Sequence, residues 1–311
     1  MGEWKEYKLG EILTFQRGYD LPKSAMNAGC IPVAGSNGVI GYHNQYTTKG
    51  PGITIGRSGN IGIPKFYKDN FWAHNTVLYV KDFHGNDEKF MYYFLQTVDF
   101  TQFNTGSAVP SLNRNHIHEL NIFIPSLDEQ KRIASILSSL DDKIDLLHRE
   151  NKTLEAMAET LFRKWFIEEV RQEVSLGNVL ETTSGGTPSR KYEKYYQNGD
   201  IDWVKSKELN RSFILKTEEK ITSEAVENSS AKYLPANSVL IAMYGATVGE
   251  YAIIAKEMTC NQAICALKPN DNYPYTYLYL WAKFMQDEFL NLACGAAQQN
   301  ISPVSYTHLT L

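Results

Sequence analysis

The side chains best suited to chemistry in this 311-residue sequence are two acid-x-Lys triplets, Asp141-Asp142-Lys143 and Glu218-Glu219-Lys220, and the pair His116 and His118. Such triplets hold metal ions in nucleases, but charged helices and loops also produce them by chance. The two histidines flank a strand-like position, where a surface or hydrogen-bonded pair is the plainer reading than metal ligation. Four cysteines, Cys30, Cys260, Cys265 and Cys294, form no Cys-x-x-Cys pair and have no histidine at zinc spacing. They read as buried small hydrophobes. The Asn/Asp-Pro-Pro-aromatic tetrapeptide of amino-methyltransferases is absent, as are the G-x-x-x-x-G-K-[ST] phosphate loop and Gly-x-Ser-x-Gly. The expectation is a chain with no catalytic residues, no metal site and no bound cofactor of its own.

The elements that would have to position any functional side chain are easier to read. An apolar content of 43% with 12% aromatics is enough for packed cores. The length suits two domains of roughly 120–140 residues plus a connector. The net charge is −4 and unevenly spread. Residues 1–126 carry 11 basic against 10 acidic side chains, 127–172 carry 8 against 10, and the rest 12 against 15. A polyanion would therefore need a local basic face. No apolar run approaches the ~20 residues of a membrane span, and the first residues lack a signal-peptide pattern. The expected location is cytoplasmic, with no membrane contact.

From Leu127 to Val170 the sequence contains neither Gly nor Pro. Apolar residues alternate at steps of four and three, which is a heptad seam over more than four heptads. Ile133, Leu140, Leu147, Leu154 and Leu161 occupy the d positions. Leu137, Ile144, Asn151, Ala158 and Trp165 occupy the a positions. A polar Asn at a fixes register and partner number in coiled coils. Ser126 is placed to cap the helix, Asp128 and Glu129 complement its dipole, and Glu119 to Pro125 reads as a strand ending at the proline.

Five segments recur in the same order. Lys8–Leu13 matches Ser175–Leu180, Ile53–Gly62 matches Leu240–Gly249, and His74-Asn75 matches Cys260-Asn261. Phe90–Leu95 matches Tyr277–Ala282, and Gly106–Asn113 matches Gly295–Ser302. The second copy contains an extra stretch of about twenty residues near 185–230. Each copy reads as short strands broken by Gly, Asn and Pro, with one short helical region. The fold class is therefore α+β, two β-rich domains joined by a long coiled-coil helix.

The run Pro125-Ser-Leu-Asp-Glu-Gln-Lys-Arg-Ile-Ala-Ser-Ile-Leu, continuing through Asn151-Lys-Thr-Leu-Glu to Leu161-Phe-Arg-Lys-Trp-Phe, resembles the central helix of type I restriction–modification specificity subunits. The opening Trp4-Lys-Glu-Tyr-Lys-Leu-Gly-Glu, Ser184-Gly-Gly-Thr-Pro-Ser189, Asn198–Val204 and Gly295–Ser302 add to the resemblance. It implies target-recognition domains at 1–126 and 173–302, a spacer helix at 127–172, and an atypical tail at 303–311 where a second spacer helix is missing. It also implies a non-catalytic subunit that reads a bipartite site in double-stranded DNA. Methyltransferase (modification) subunits and a restriction/motor subunit would be its partners, and they would use S-adenosylmethionine, ATP and Mg. An uncovered seam would favour self-association. Two alternatives stay open: the recognition fragment of a single-chain restriction–methyltransferase enzyme, and a silent recombination cassette.

The resemblance implies that base edges are read from turns, by Arg or Lys for guanine, Asn or Gln for adenine, and Ser or Thr for either. In the first copy Ser36, Asn37, Arg57, Ser58, Asn60, Lys65, His74 and Asn75 fit that description. Thr187, Ser189, Arg190, Lys191, Lys205, Lys207, Tyr244, Thr247, Asn261 and Gln262 fit it in the second. Gly and Asn make turns for structural reasons as well, so these residues point to DNA as a set rather than singly.

Overall fold

The computed structural model describes residues 4–103, 111–169 and 174–293. The chain divides into two units, residues 1–152 and 153–311. The segments 106–110 and 295–302 of the fifth repeat, Cys294, the tail 303–311 and residues 170–172 of the expected helical stretch lie outside the described residues.

Unit 1 begins with β1 (Lys5–Lys8), α1 (Leu9–Ile12) and β2 (Thr14–Arg17). Then come β3 (Ile31–Gly35), β4 (Gly38–His43), β5 (Gly52–Gly56), β6 (Pro64–Tyr67), β7 (Trp72–Ala73) and β8 (Val77–Asp82). Helices α2 (Glu88–Gln96) and α3 (Arg114–His118) precede β9 (Asn121–Ile124) and the long α4 (Leu127–Phe162). A four-stranded sheet runs β2-β8-β5-β6, a three-stranded sheet runs β4-β3-β7, and β1 pairs with β9. Strand β8 shows how the cores form. Leu78 and Val80 face a core with Phe15, Ile53, Ile55, Phe90 and Met91, while Val77 and Tyr79 face Ala34, Phe71 and Ala73. Successive residues of a strand point to opposite faces, so one strand feeds both cores.

Unit 2 contains α5 (Leu176–Val179), β10 (Glu181–Ser184), β11 (Ile201–Val204), β12 (Phe213–Ile214), β13 (Lys220–Ile221) and α6 (Ser223–Glu227). These are followed by β14 (Val239–Ala242), β15 (Tyr251–Ile254), β16 (Thr259–Cys260), β17 (Ile264–Lys268), α7 (Tyr275–Phe284) and α8 (Gln286–Ala293). The sheets run β10-β17-β14-β15-β12 and β13-β11-β16. The first four strands repeat the order β2-β8-β5-β6 of unit 1. The parallel pair β11–β16 repeats β3–β7. The duplication read from sequence is thus a duplication of topology, and the extra stretch supplies β12 and α6.

Three expectations need correction. The sequence repeat pairs His74-Asn75 with Cys260-Asn261, but His74 N–H donates to Ala34 O as Asn261 N–H donates to Val204 O, so His74 is equivalent to Asn261 and Asn75 to Gln262. The sequence repeat aligns Ile53 with Leu240, but Ile53 and Ile55 pack on the helix-side core where Val239 and Ile241 pack in unit 2. The β14–β15 turn holds one extra residue: Gly62 donates its N–H to Gly56 O, and Gly249 donates to Ala242 O. A one-residue slip exchanges the two faces of a strand. Cys30 is exposed rather than buried. Cys260 and Cys265 are buried as expected, and burial pushes both thiols up to about 12.

The α-helix of 36 residues gives way to a π-helical segment, Arg163–Glu168. The start of the helix is held in unit 1 by buried Gln130, whose amide donates to Asn86 Oδ1 at 2.9 Å and Pro125 O at 3.1 Å and accepts from Asp87 N–H at 3.0 Å. In unit 2, Phe162 enters the core, and Lys283 pairs with Glu155 at 2.9 Å and Glu159 at 2.5 Å.

Candidate nucleic-acid interface

In unit 1, the residues leaving β2 run beside the turn between β7 and β8. Gly18 N–H donates to Val77 O at 3.1 Å and Tyr19 N–H to Ala73 O at 2.8 Å. His74 N–H reaches Ala34 O at 3.0 Å, and Val77 N–H reaches His74 O at 3.1 Å. A side chain at Gly18 would collide with the carbonyl oxygens of Ala73 and His74, so only glycine permits this approach. The junction gathers polar side chains. Asn75 Nδ2 donates to Asp20 Oδ1, and Arg57 Nη1 donates to Asn75 O at 3.3 Å. His74 Nδ1 and Thr76 Oγ1 are 3.0 Å apart, and Arg17 lies 3.8 Å from Asp20.

Unit 2 rebuilds this junction bond for bond. Gly185 N–H donates to Ile264 O at 3.3 Å, Gly186 N–H to Cys260 O at 2.9 Å, Asn261 N–H to Val204 O at 2.9 Å and Ile264 N–H to Asn261 O at 3.3 Å. Gly185 meets the carbonyl oxygens of Cys260 and Asn261 as Gly18 meets those of Ala73 and His74. The equivalent side chains also touch, since Thr187 Oγ1 donates to Gln262 Oε1. Tyr244 hydrogen-bonds to Gln262, and burial, outweighing that bond, raises the phenol above its usual range. Asn75 and Gln262 therefore occupy one structural position, and Asp20 and Thr187 another.

The second cluster in unit 2 is charged. Arg190 makes a two-pronged ion pair with Glu219 and lies over the rings of Tyr196 and Trp203. Lys205 is 3.3 Å from Glu219 and 3.4 Å from Glu218, and Lys207 is 2.6 Å from Glu218. Hydrogen bonds from Arg190 and Lys207 hold Glu219 and Glu218, respectively, below the usual carboxylate range. Asp202, only 2% exposed, sits 2.6 Å from Lys256. Burial pushes its carboxyl up, but the bonds from Lys256 and Thr217 together outweigh burial and leave it lowered.

The remaining sequence candidates are carried on separate segments. Ser36 and Asn37 form the β3–β4 turn, Ser58 and Asn60 continue the β5–β6 turn, and Lys65 stands on β6 opposite Thr54. Ser189 and Lys191 are exposed between β10 and the turn at 193–195, and Thr247 lies in the β14–β15 turn. Sequence reasoning missed Asp20, which becomes visible only through its equivalence to Thr187. The histidine pair separates: His118 Nε2 accepts the N–H of Phe15 at 3.0 Å, whereas His116 is exposed. Among the described residues, no three His, Cys, Asp or Glu side chains converge as a metal cage, and no helix is long and apolar enough to cross a membrane.

Along the helix, Ile133 packs partly against the unit 1 core and Leu137 is half-buried. Leu140, Ile144 and Leu147 are exposed, as are Asn151 and Leu154, the last at 62%. Ala158 is half-buried, and Leu161 and Trp165 are exposed. Trp165 falls within the π-helical segment, whose wider winding departs from the heptad. Within unit 2, an apolar groove of about 700 Å³ is bounded by Leu161, Phe162, Trp165, Phe166, Tyr277 and Leu280, among others.

A family model described as the type I restriction modification DNA specificity domain matches this chain twice, at residues 1–156 and 168–303. The EcoR124I/EcoR124II specificity subunit of Escherichia coli is 29% identical over 306 residues, covering 89% of this chain and 73% of that protein. The MjaIX specificity subunit of Methanocaldococcus jannaschii is 26% identical over 190 residues, covering 53% of this chain and 44% of that protein. For the HindI specificity subunit of Haemophilus influenzae the identity is 23% over 285 residues, with coverages of 66% and 62%. The chain thus spans about two fifths to three quarters of the length of these relatives. In fold it is similar to the crystal structure of the type I restriction–modification S subunit from M. genitalium, with a TM-score of 0.71 at 16% identity, over 99% of this chain and 84% of that one. Two β-rich units of one topology, a long helix passing from one into the next, and a family model matched once on each half lead to one assignment: the chain belongs to the type I restriction–modification DNA specificity domain family.

Proposed function

We propose that this chain is the DNA sequence-recognition subunit of a type I restriction–modification complex and reads a bipartite site, one half per β-rich unit. The observation that carries the reading is the doubling: one family model on both halves, and one sheet order with one polar turn junction built twice. Turns of this kind present base-edge partners on a rigid scaffold.

In this reading the chain has no chemistry of its own and works in the cytoplasm. Modification subunits supply the S-adenosylmethionine-dependent methylation, and a restriction/motor subunit uses ATP and Mg. The open seam of the long helix, from Leu140 to Leu161, offers the apolar surface on which subunits or a second helix dock. Methylome sequencing of cells carrying this gene with its modification partner tests the proposal. The expected result is a methylated motif of two short defined sequences separated by a fixed gap. The purified chain alone should neither methylate nor cut DNA. Methylation by a preparation proven free of modification subunit would overturn the non-catalytic assignment.

A further inference from the structure

We propose that Asn75 and Gln262 are the equivalent base-reading side chains of the two units, each contacting the edge of an adenine, with Asp20 and Thr187 as their positioning residues. The inference deepens the DNA-recognition reading and rests on it.

The backbone makes the two positions the same place. Four hydrogen bonds around Gly18 in unit 1 are repeated around Gly185 in unit 2. At this place the units differ at most positions: Tyr19 against Gly186, Asp20 against Thr187, His74 against Asn261. What they share is a carboxamide, Asn75 and Gln262. A carboxamide offers an acceptor and a donor side by side, the pattern that matches adenine N6 and N7 in the major groove.

In both units that carboxamide is restrained by the residue at the second position. Asn75 is held through its nitrogen by Asp20, so its oxygen and one N–H remain. Gln262 is held through its oxygen by Thr187, so its second lone pair remains, and Tyr244 is a further hydrogen-bond partner. Thr187 is itself fixed on both sides: Trp203 Nε1 donates to Gly186 O at 3.0 Å, and Tyr196 OH donates to Pro188 O at 2.6 Å. A reading group held by a neighbour whose own backbone is fixed, as Thr187 is in unit 2, suits a base-specific contact. Gln262 and Asp20 are exposed and Asn75 half-exposed, so the junction opens to solvent.

The test is selection of duplexes from a randomised library by the full chain assembled with the modification subunits of its system, with each variant's melting temperature recorded. Gln262→Glu replaces an adenine reader with an acceptor suited to cytosine N4. It should change the preferred base at one position in one half-site, with a loss of roughly 5- to 150-fold on the original sequence. Asn75→Ala removes the carboxamide without setting a second carboxylate beside Asp20, and should relax the base preference at one position of the other half-site only. Thr187→Val removes the restraining hydroxyl and should broaden preference at the position that Gln262 reads, with the rest of the motif intact. If Gln262→Glu and Asn75→Ala select the wild-type motif unchanged, or lose all sequences equally while both half-motifs persist, these side chains are turn locks and the proposal is overturned. If the unmodified assembly selects no bipartite motif, the recognition reading itself falls, which is a different result.

Discussion

Arg190 and Glu219 meet as a bidentate pair: Arg190 Nη2 donates to Oε2 at 2.7 Å and Nη1 donates to Oε1. The same guanidinium lies 4.0 Å from the centre of the Tyr196 ring and 5.6 Å from that of Trp203. A planar fork that stacks as it pairs is a role lysine cannot fill. Exposed ion pairs contribute about 0.2–1 kcal/mol and exposed cation–π contacts about 0.5–1 kcal/mol. Arg190→Lys should therefore cost unit 2 about 1 kcal/mol, read as a shift in the urea midpoint. Since the guanidinium is already partnered, the charge-removing variant Arg190→Gln should leave the slope of the salt dependence of DNA binding unchanged. A slope shallower by about one would place Arg190 on a phosphate instead.

His118 makes unit 1 sensitive to acid. Its Nε2 accepts the backbone N–H of Phe15 at 3.0 Å, so the bond requires the neutral ring, which stacks on Phe15. Burial, then the nearby charge of Arg114, holds its pKa below 6.5. A folded-state pKa below the unfolded one means that the native state resists protonation. The stabilisation is full above pH 6.5 and is lost as the pH falls below it towards the folded pKa. In the variant His118→Gln, the amide oxygen still accepts from Phe15 but does not titrate. Denaturation midpoints at pH 7.5, 6 and 5 should show the wild-type advantage shrinking with acid. Parallel pH profiles for the two proteins would contradict this account.

The long helix was legible in the sequence because a 3.5-residue period sustained over nine apolar seam residues is a pattern that neither a strand nor a short surface helix produces. The strand before it was legible because it ends at Pro125. The strands β5 and β14 were found but aligned one residue out of register. Both are buried on both faces, so neither shows the polar alternation that fixes register, and the extra residue in the β14–β15 turn left no trace. Asp20 and Gln130 were invisible for a related reason. An acidic residue after a strand and a glutamine in a helix's first turn are ordinary in sequence, and their partners, Asn75 and Asn86, lie 55 and 44 residues away.

Asn151 should govern pairing more than stability. It is exposed, at the one polar slot of the apolar seam. A buried Asn at an a position costs stability and fixes register and partner number. Asn151→Leu should therefore raise the melting temperature of any assembly made through this seam and broaden its stoichiometry in light scattering. A lower melting temperature with unchanged stoichiometry would refute the heptad assignment.

The helix should also act as the ruler for the gap between half-sites. One heptad inserted after Leu147 leaves every seam residue on its own face, because seven residues complete the repeat. At ~1.5 Å per residue the insertion adds about 10 Å of helix, the rise of roughly three base pairs. It touches neither polar junction, since Asp20 and Asn75 lie well before it in the chain and Thr187 and Gln262 well after. The methylated motif should keep both half-sequences letter for letter and widen only its undefined gap. An insertion of two residues should behave differently, because at about 100° per residue it rotates the following seam residues by roughly 200°, away from the face they share, and should weaken assembly. If the heptad insertion leaves the gap unchanged, the helix does not set the spacing. If it changes letters within a half-site, the helix contributes to recognition directly, and the division of labour between turns and helix is wrong.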